Sequence, residues 1–466
     1  MLFNSNDFLL FFGAFLLAYY LVRRHLGARN SLIVIASYIF YGWWDYRFVG
    51  LLLFTSVLDF AVAVGLDRFR KQSCRRVLLA GSMVANLSVL FLFKYFDFFQ
   101  ESLEALLAHF GHKTHWRALH WVLPVGISFY TFQSMSYVID VYRRRTPACT
   151  SLVQVLAYVS FFPQLVAGPI ERATNLLSQM TRTLHVTWAS LEQGLWLILW
   201  GMFKKVVLAD NLAPLVELVF QLSTPTGPMV VLGTTAFALQ IYCDFSDYSN
   251  IARKIAKVLG FDLMLNFNLP YFATSVRDFW RRWHISLSTW LRDYLYVPLG
   301  GNRRTPFRTY LNLLLTMLLG GLWHGAAVNF VLWGLWHGAG LAINRWWEER
   351  SRGRWSLPVW AAWPLTMLFV LYGWMLFRAG SADQVLAFTQ ALAVFSVPAW
   401  WKPYVTNLAL LASPLVLMQL WQHRTGNPEA VLTLPLWQKG LLQGALLYGT
   451  MLFWKREAAP FIYFQF

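Results

Sequence analysis

The side chain best suited to moving a proton near neutral pH is imidazole, and this chain sets two of them in one apolar run. The hexapeptide Gly-Leu-Trp-His-Gly-Ala occurs at 321–326 and again at 334–339. Both copies, with His324 and His337, lie between Leu311 and Asn344, a stretch without Asp, Glu, Lys or Arg. An ionisable group at membrane depth is by default a functional candidate, and a buried, neutral imidazole can take a proton from a hydroxyl as a general base. As one helix the run would extend about 50 Å at 1.5 Å per residue, against a hydrocarbon core of about 30 Å. It must therefore tilt, break or turn. Gly320-Gly321 and Gly325 are the weak points, and a break beside His324 would give its ring a local cavity. His337 follows thirteen positions later. On a single helix that is about 20 Å along the axis and nearly the opposite face, so the two rings are not expected to act on one atom unless the chain doubles back. His337 reads as a packed or hydrogen-bonded helix residue.

A second candidate lies in the most basic part of the chain, Arg277 to Arg308. On a helix Trp280, His284, Leu287 and Leu291 share one stripe, with Arg282 and Asp293 turned away. This predicts an amphipathic helix at the membrane interface or dipping into the protein, with His284 on its buried face. Arg281, Arg282, Arg292, Arg303 and Arg304 could anchor to lipid phosphates, or cradle the phosphates of a soluble donor by bidentate pairing. Asp244 and Asp247 end another apolar run and could line a polar pocket or cap a helix starting near Ser249. His109, His112, His115 and His120 are loosely spaced without thiols or carboxylates at matching intervals, and read as interfacial surface residues rather than metal ligands. The sequence offers no metal site. Cys74, Cys149 and Cys243 suggest no disulfide framework, and no Gly-x-Ser-x-Gly elbow supports a serine hydrolase.

The elements that must position these residues are membrane helices. Of 466 residues 57% are hydrophobic and 13% charged, where a soluble domain carries about 25% charge. The expectation is an all-α, polytopic integral membrane bundle with roughly ten to twelve spans plus re-entrant and interfacial helices. It is treated as a single membrane domain, 1–466, with N-terminal spans in 1–120, a catalytic core in 121–345 and C-terminal spans in 346–466. Phe8–Val22 has no basic segment before it and no small-residue cleavage site after it, and reads as a retained first helix. The net charge of +17 clusters after apolar runs, at Arg23, Arg24 and Arg29, at Arg68 to Arg76, and at Arg143 to Arg145. This fits a cytoplasmic, lipid-facing role and argues against nucleic acid as a partner. Leu123–Tyr142 is laced with small and hydroxylated residues suited to close helix packing. Phe161–Pro169, with two prolines and a glycine, predicts a broken or re-entrant helix along a cavity wall.

In order along nearly the whole chain, Leu123–Tyr142, Phe161–Arg172, Gln240–Gly260, Arg277–Arg304 with its Trp-Arg-Arg-Trp-His core, Gly320–Ala326 and the C-terminal Phe461-Ile-Tyr-Phe-Gln-Phe resemble the membrane-bound O-acyltransferase superfamily. Within it they resemble the bacterial branch of alginate O-acetylation and teichoic acid D-alanyl transfer proteins. The resemblance implies a helical bundle thinned at its centre, where a cytoplasmic donor pocket meets an outer-face cavity. It places the family's invariant histidine at His324, as general base, and an upstream polar position at His284, holding the donor side or hydrogen-bonding the thioester carbonyl. It implies acetyl transfer to an extracytoplasmic polysaccharide such as alginate from a cytoplasmic thioester, acetyl-CoA or an acyl carrier. It further implies an inner-membrane location, no tightly bound cofactor and a periplasmic acetyltransferase partner. D-alanyl transfer from a carrier protein and a non-catalytic conduit or scaffold remain alternatives, and a transient acyl-histidine remains open beside base catalysis.

Overall fold

The computed structural model describes residues 5–112, 116, 118–351, 357–399, 401–455 and 461–462. Among them all regular structure is helical. His115 and residues 463–466 lie outside the described residues. Among the described residues, five helical stretches are long and apolar enough to cross a membrane: Tyr46–Arg68, Gln72–His109, Gly227–Val258, Val359–Arg378 and Trp401–Thr425, with Asn6–Val22 a shorter apolar helix. The ten to twelve spans expected from hydrophobic runs are not reached on that measure, and some of the remaining runs are short or interrupted. Leu26–Gly42 and Ile127–Tyr142 hold 17 and 16 residues, short of the ~20 that cross a bilayer unaided. The run after Ser151 is cut into Leu152–Val159, the single turn Phe162–Leu165 and irregular backbone.

The chain divides into two compact units. The first holds 1–194 with 251–264, the second 195–250 with 265–466.

In the first unit the helices are tied by buried polar side chains. Asp59 accepts hydrogen bonds from Ser82 Oγ at 2.6 Å, Ser134 Oγ at 2.5 Å and Asn86 Nδ2 at 3.0 Å, joining Val49–Arg68, Gln72–Leu90 and Ile127–Tyr142. Close packing is therefore what the hydroxyls of Leu123–Tyr142 serve. Two arginines expected to face lipid are instead interior clamps. Arg29 is fully buried and donates to the carbonyls of Met180 and Arg182 at 3.1 and 2.8 Å. Arg75, also buried, donates to the carbonyls of Leu66 and Tyr142. Guanidinium carries five donors and captures loop carbonyls that no helix satisfies. Apart from the single turn Phe162–Leu165, residues 161–171 are irregular, and all of them are buried.

The second unit carries the histidines. Its helices include Asp210–Phe220, Gly227–Val258 up to Asn250, the short pair Val276–Arg282 and Ile285–Leu291, the hairpin Pro306–His324 and Val328–Ser351, Val359–Arg378, Trp401–Thr425 and Leu436–Leu452. Gly227–Val258 runs unbroken through Asp244 and Asp247, so neither caps a helix at Ser249. Both are buried. Lys205 Nζ lies 2.9 Å from a carboxylate oxygen of both Asp210 and Asp244, and the second Asp244 oxygen accepts the Ile462 amide at 2.7 Å.

Candidate active site

His324 is the last residue of Pro306–His324, and the chain turns at Gly325 in extended geometry before Val328–Ser351. The break thus comes after the histidine and not at Gly320-Gly321, which stays helical. The two glycines do different work. The helices return antiparallel at very close range, and the first glycines of the two hexapeptides, Gly321 and Gly334, meet there. A Cβ on Gly321 would lie 2.2 Å from the Phe330 carbonyl oxygen and 3.2 Å from Gly334 Cα, and one on Gly334 would lie 2.5 Å from the Met317 carbonyl oxygen. The chain does double back, and the repeat is a pair of helix-crossing contacts.

His284 also sits at a break. The single amphipathic helix expected across 277–294 is two short ones, Val276–Arg282 and Ile285–Leu291, with His284 between them in the left-handed region at φ 42°. That conformation costs a non-glycine residue about 1–2 kcal/mol and persists only where its surroundings enforce it. His284 is buried as the stripe predicts, at 0% exposure, together with Trp280, Leu287 and Leu291. It faces the Phe245 edge at 4.7 Å, Trp323 at 5.9 Å and His324 at 6.3 Å between ring centroids. The short helices do not span, and burial alone lowers the His284 pKa to about 3. Such an imidazole is neutral at any physiological pH, a weak base that carries one N–H donor.

The remaining walls around His324, itself 5% exposed, are Trp323 at 5.0 Å, Trp333 at 5.1 Å and Phe377 at 5.3 Å. Two imidazoles thus share an aromatic enclosure. With their centroids 6.3 Å apart, the two rings cannot bring nitrogens closer than about 4 Å, beyond a direct hydrogen bond.

A cavity of about 690 Å³ is lined by Trp280, Ile285, Ser288, Leu291 and Met317, with Arg277, Arg281, Arg292 and Arg345 among its polar groups; Ile285 directly follows His284. Met317 precedes His324 by seven residues, about 10 Å along the helix. Of the five arginines singled out by sequence, Arg281 and Arg292 line this space, the latter 2.8 Å from Asp293. Arg282 is turned to Asp278 at 2.9 Å, and Arg303 and Arg304 are exposed on the loop before Pro306, next to Asn302 of the cavity lining but not part of it.

A family model for the membrane-bound O-acyltransferases matches residues 147–381, which contain both histidines and every residue of the cavity. The chain is 45% identical to the probable alginate O-acetylase AlgI of Azotobacter vinelandii, over 92% of this chain and 88% of that protein. The chain belongs to the membrane-bound O-acyltransferase family. It is a multi-pass membrane enzyme that transfers acyl groups to oxygen. It is also 34% identical to the peptidoglycan O-acetyltransferase of Helicobacter pylori over 83% of this chain and 78% of that one, and 24% identical to the teichoic acid D-alanyltransferase of Bacillus subtilis over 71% and 84%.

In this acyltransferase His337 is packed, as its sequence context predicts. Its Nδ1 accepts from Trp280 Nε1 at 3.2 Å, which leaves the remaining proton on Nε2, and Gly373 closes against that nitrogen. Trp333 stands between it and His324, 4.8 Å from His337. Among the described residues no group of three or more His, Cys, Asp or Glu could hold a metal ion. Sequence reading missed Arg277 and Arg345. Arg277 pairs with Glu348 at 2.6 Å and Arg345 with Glu349 at 2.7 Å. Arg345 is the first charge after the charge-free run, and only the doubling back of the hairpin brings it level with residue 277.

Proposed function

We propose that this acyltransferase carries an acetyl group from a thioester donor at the arginine-lined cavity to the hydroxyl of an extracytoplasmic polysaccharide such as alginate, in the bacterial inner membrane. The observation that carries the reading is the meeting of His284 and His324 in one aromatic enclosure, with Ile285, the neighbour of His284, lining the arginine-bearing cavity, in a chain 45% identical to a probable alginate O-acetylase. Acetyl-CoA fits the donor role: its phosphates would meet Arg281, Arg292, Arg277 and Arg345, and its extended arm would cover the distance to the histidines. The positive face is then cytoplasmic, and a periplasmic acetyltransferase would finish delivery to the polymer.

His324 takes the hydroxyl proton as the acceptor oxygen attacks the thioester carbonyl. The carbonyl π electrons move onto oxygen, where the neutral His284 N–H donates a hydrogen bond to the developing charge. Collapse breaks the carbon–sulfur bond, and the proton on His324 passes to the departing thiolate. Substituting His324 by Ala in a chain that still inserts and accumulates should abolish polymer O-acetylation, by about 10² or more in rate. Persistent acetylation by that variant would defeat the assignment. Labelled acetyl-CoA separates this reading from a scaffold, which would release no labelled acetyl group with its partners present, and from a carrier-protein donor, which would leave acetyl-CoA untouched.

A further inference from the structure

The strained turn at His284 needs a cause, and neither of its own short helices supplies one. The segment that does is the non-helical stretch of chain before Pro270. Asn266 makes three hydrogen bonds around the histidine. Its backbone carbonyl accepts the Ile285 N–H at 3.0 Å, its side-chain Oδ1 accepts the Ser286 N–H at 3.1 Å, and its Nδ2 donates to Ser249 Oγ at 2.9 Å. Asn266, Ser249 and Ser286 are at most 1% exposed. A fourth bond runs alongside, from the Asn268 N–H to the Arg282 carbonyl at 2.9 Å. The two amides that follow His284 are thus both taken by one residue, which is itself fixed to the Gly227–Val258 helix. That helix also carries Phe245, whose ring abuts His284.

The geometry points to Asn266 as the positioning residue of the His284 ring: it acts on the reaction only through His284, by holding the backbone turn that aims the imidazole at His324. This rests on the catalytic reading of His284 above. An asparagine is suited to the task because its oxygen and nitrogen serve two partners of opposite need at once. Leucine, its near isostere, would leave the Ser286 N–H and the Ser249 hydroxyl without it. A misplacement of about 1 Å at a reacting group can cost 10²-fold in rate, which sets the size of the expected effect.

The test uses the full-length chain in native membranes with labelled acetyl-CoA, reading acetyl ester formed per amount of folded protein. Asn266→Ala should lower kcat by about tenfold to a hundredfold with KM for acetyl-CoA unchanged. Asn266→Asp should regain a substantial part of that loss, because a carboxylate oxygen still accepts from Ser286 N–H and the Ser249 hydroxyl can turn to donate to the other. A wild-type kcat in Asn266→Ala, a loss confined to KM, or no recovery in Asn266→Asp would each overturn the proposal. If Asn266→Ala proves too unstable to assay, Ser249→Ala, which removes only the outer anchor, should show the same loss in kcat at smaller size, and an unchanged rate there would count against it. His284→Ala, run in parallel, keeps the two readings apart. If it is inactive while Asn266→Ala is fully active, only the positioning role fails. If it retains wild-type activity, the catalytic reading of His284 fails and the positioning role with it.

Discussion

At the scale of single residues, chemistry was legible where polarity was out of place. His324 stood out because nothing near it in sequence could solvate it, and the structure puts it in an aromatic enclosure with His284. The stripe placed His284 on a buried face, and it is buried; what could not be read was the left-handed turn at His284 that divides the expected helix in two. The same blindness applied to Glu171, inconspicuous in sequence and fully buried in irregular backbone. Its carboxylate accepts the Met264 N–H at 2.5 Å and Asn175 Nδ2 at 2.7 Å. Burial outweighs these bonds and the nearby Arg172 and Arg253, and raises its pKa to about 7. An acid whose folded pKa lies above its unfolded value of 4.5 binds more protons folded than unfolded between the two. Its contribution to stability is present below about pH 4.5 and is lost as pH rises through about 7. Melting of the detergent-solubilised protein should therefore fall between pH 5 and pH 8, and Glu171→Gln, which keeps an acceptor for Met264, should flatten that fall. Equal slopes for variant and parent would show that another group titrates there.

At the scale of elements, the hairpin 306–351 shows what a repeat is for. The sequence marks glycines as weak points in a helix, and that expectation holds at Gly325 and fails at Gly321. A helical glycine weakens its helix only by about 1 kcal/mol against Ala, whereas removal of a side chain lets two backbones approach, as small residues do between membrane helices. Which of these a given glycine serves depends on a partner strand of chain that local pattern does not reveal. The close approach makes a sharp prediction. Gly321→Ala and Gly334→Ala each place a methyl against backbone that cannot swing aside, so the hairpin must spread. Overpacking of this kind costs about 1–3 kcal/mol or more, and His324, one turn from Gly321, should lose its alignment with His284. Both variants should melt at lower temperature and show reduced transfer. Gly444→Ala, in the Leu436–Leu452 helix with nothing within 4 Å of the new methyl, should melt no lower than the parent. Equal melting of all three would remove the backbone contact as the reason for the repeat.

At the scale of the whole molecule, composition announced a polytopic membrane protein but overstated how many apolar runs cross unaided, because runs are cut by turns and by polar contacts between helices. Within the second unit the order of contacts nevertheless sets the sidedness of the site. Tyr310 at the start of the hairpin bonds Glu349 near its end, level with the cavity residues Arg277 and Arg345. The Val359–Arg378 helix then runs the full length of its neighbour: Phe369 packs on Gly340 and Trp336, and the Phe377 carbonyl accepts from Asn329 beside the His324 turn. Val359–Arg378 is long and apolar enough to cross a bilayer, and crossing it would set the cavity and the residues after Arg378 on opposite sides. Asn302 lines that cavity and Ala382 is exposed beyond the helix. In a background lacking Cys74 and Cys149, Asn302→Cys should react with a membrane-impermeant maleimide only in inside-out vesicles, where the cytoplasmic face is outward, and Ala382→Cys only in right-side-out ones. A donor pocket on the cytoplasmic side requires that pattern. The reverse pattern would place the arginines where no thioester donor is supplied, and labelling of both from one side would mean that Val359–Arg378 does not cross.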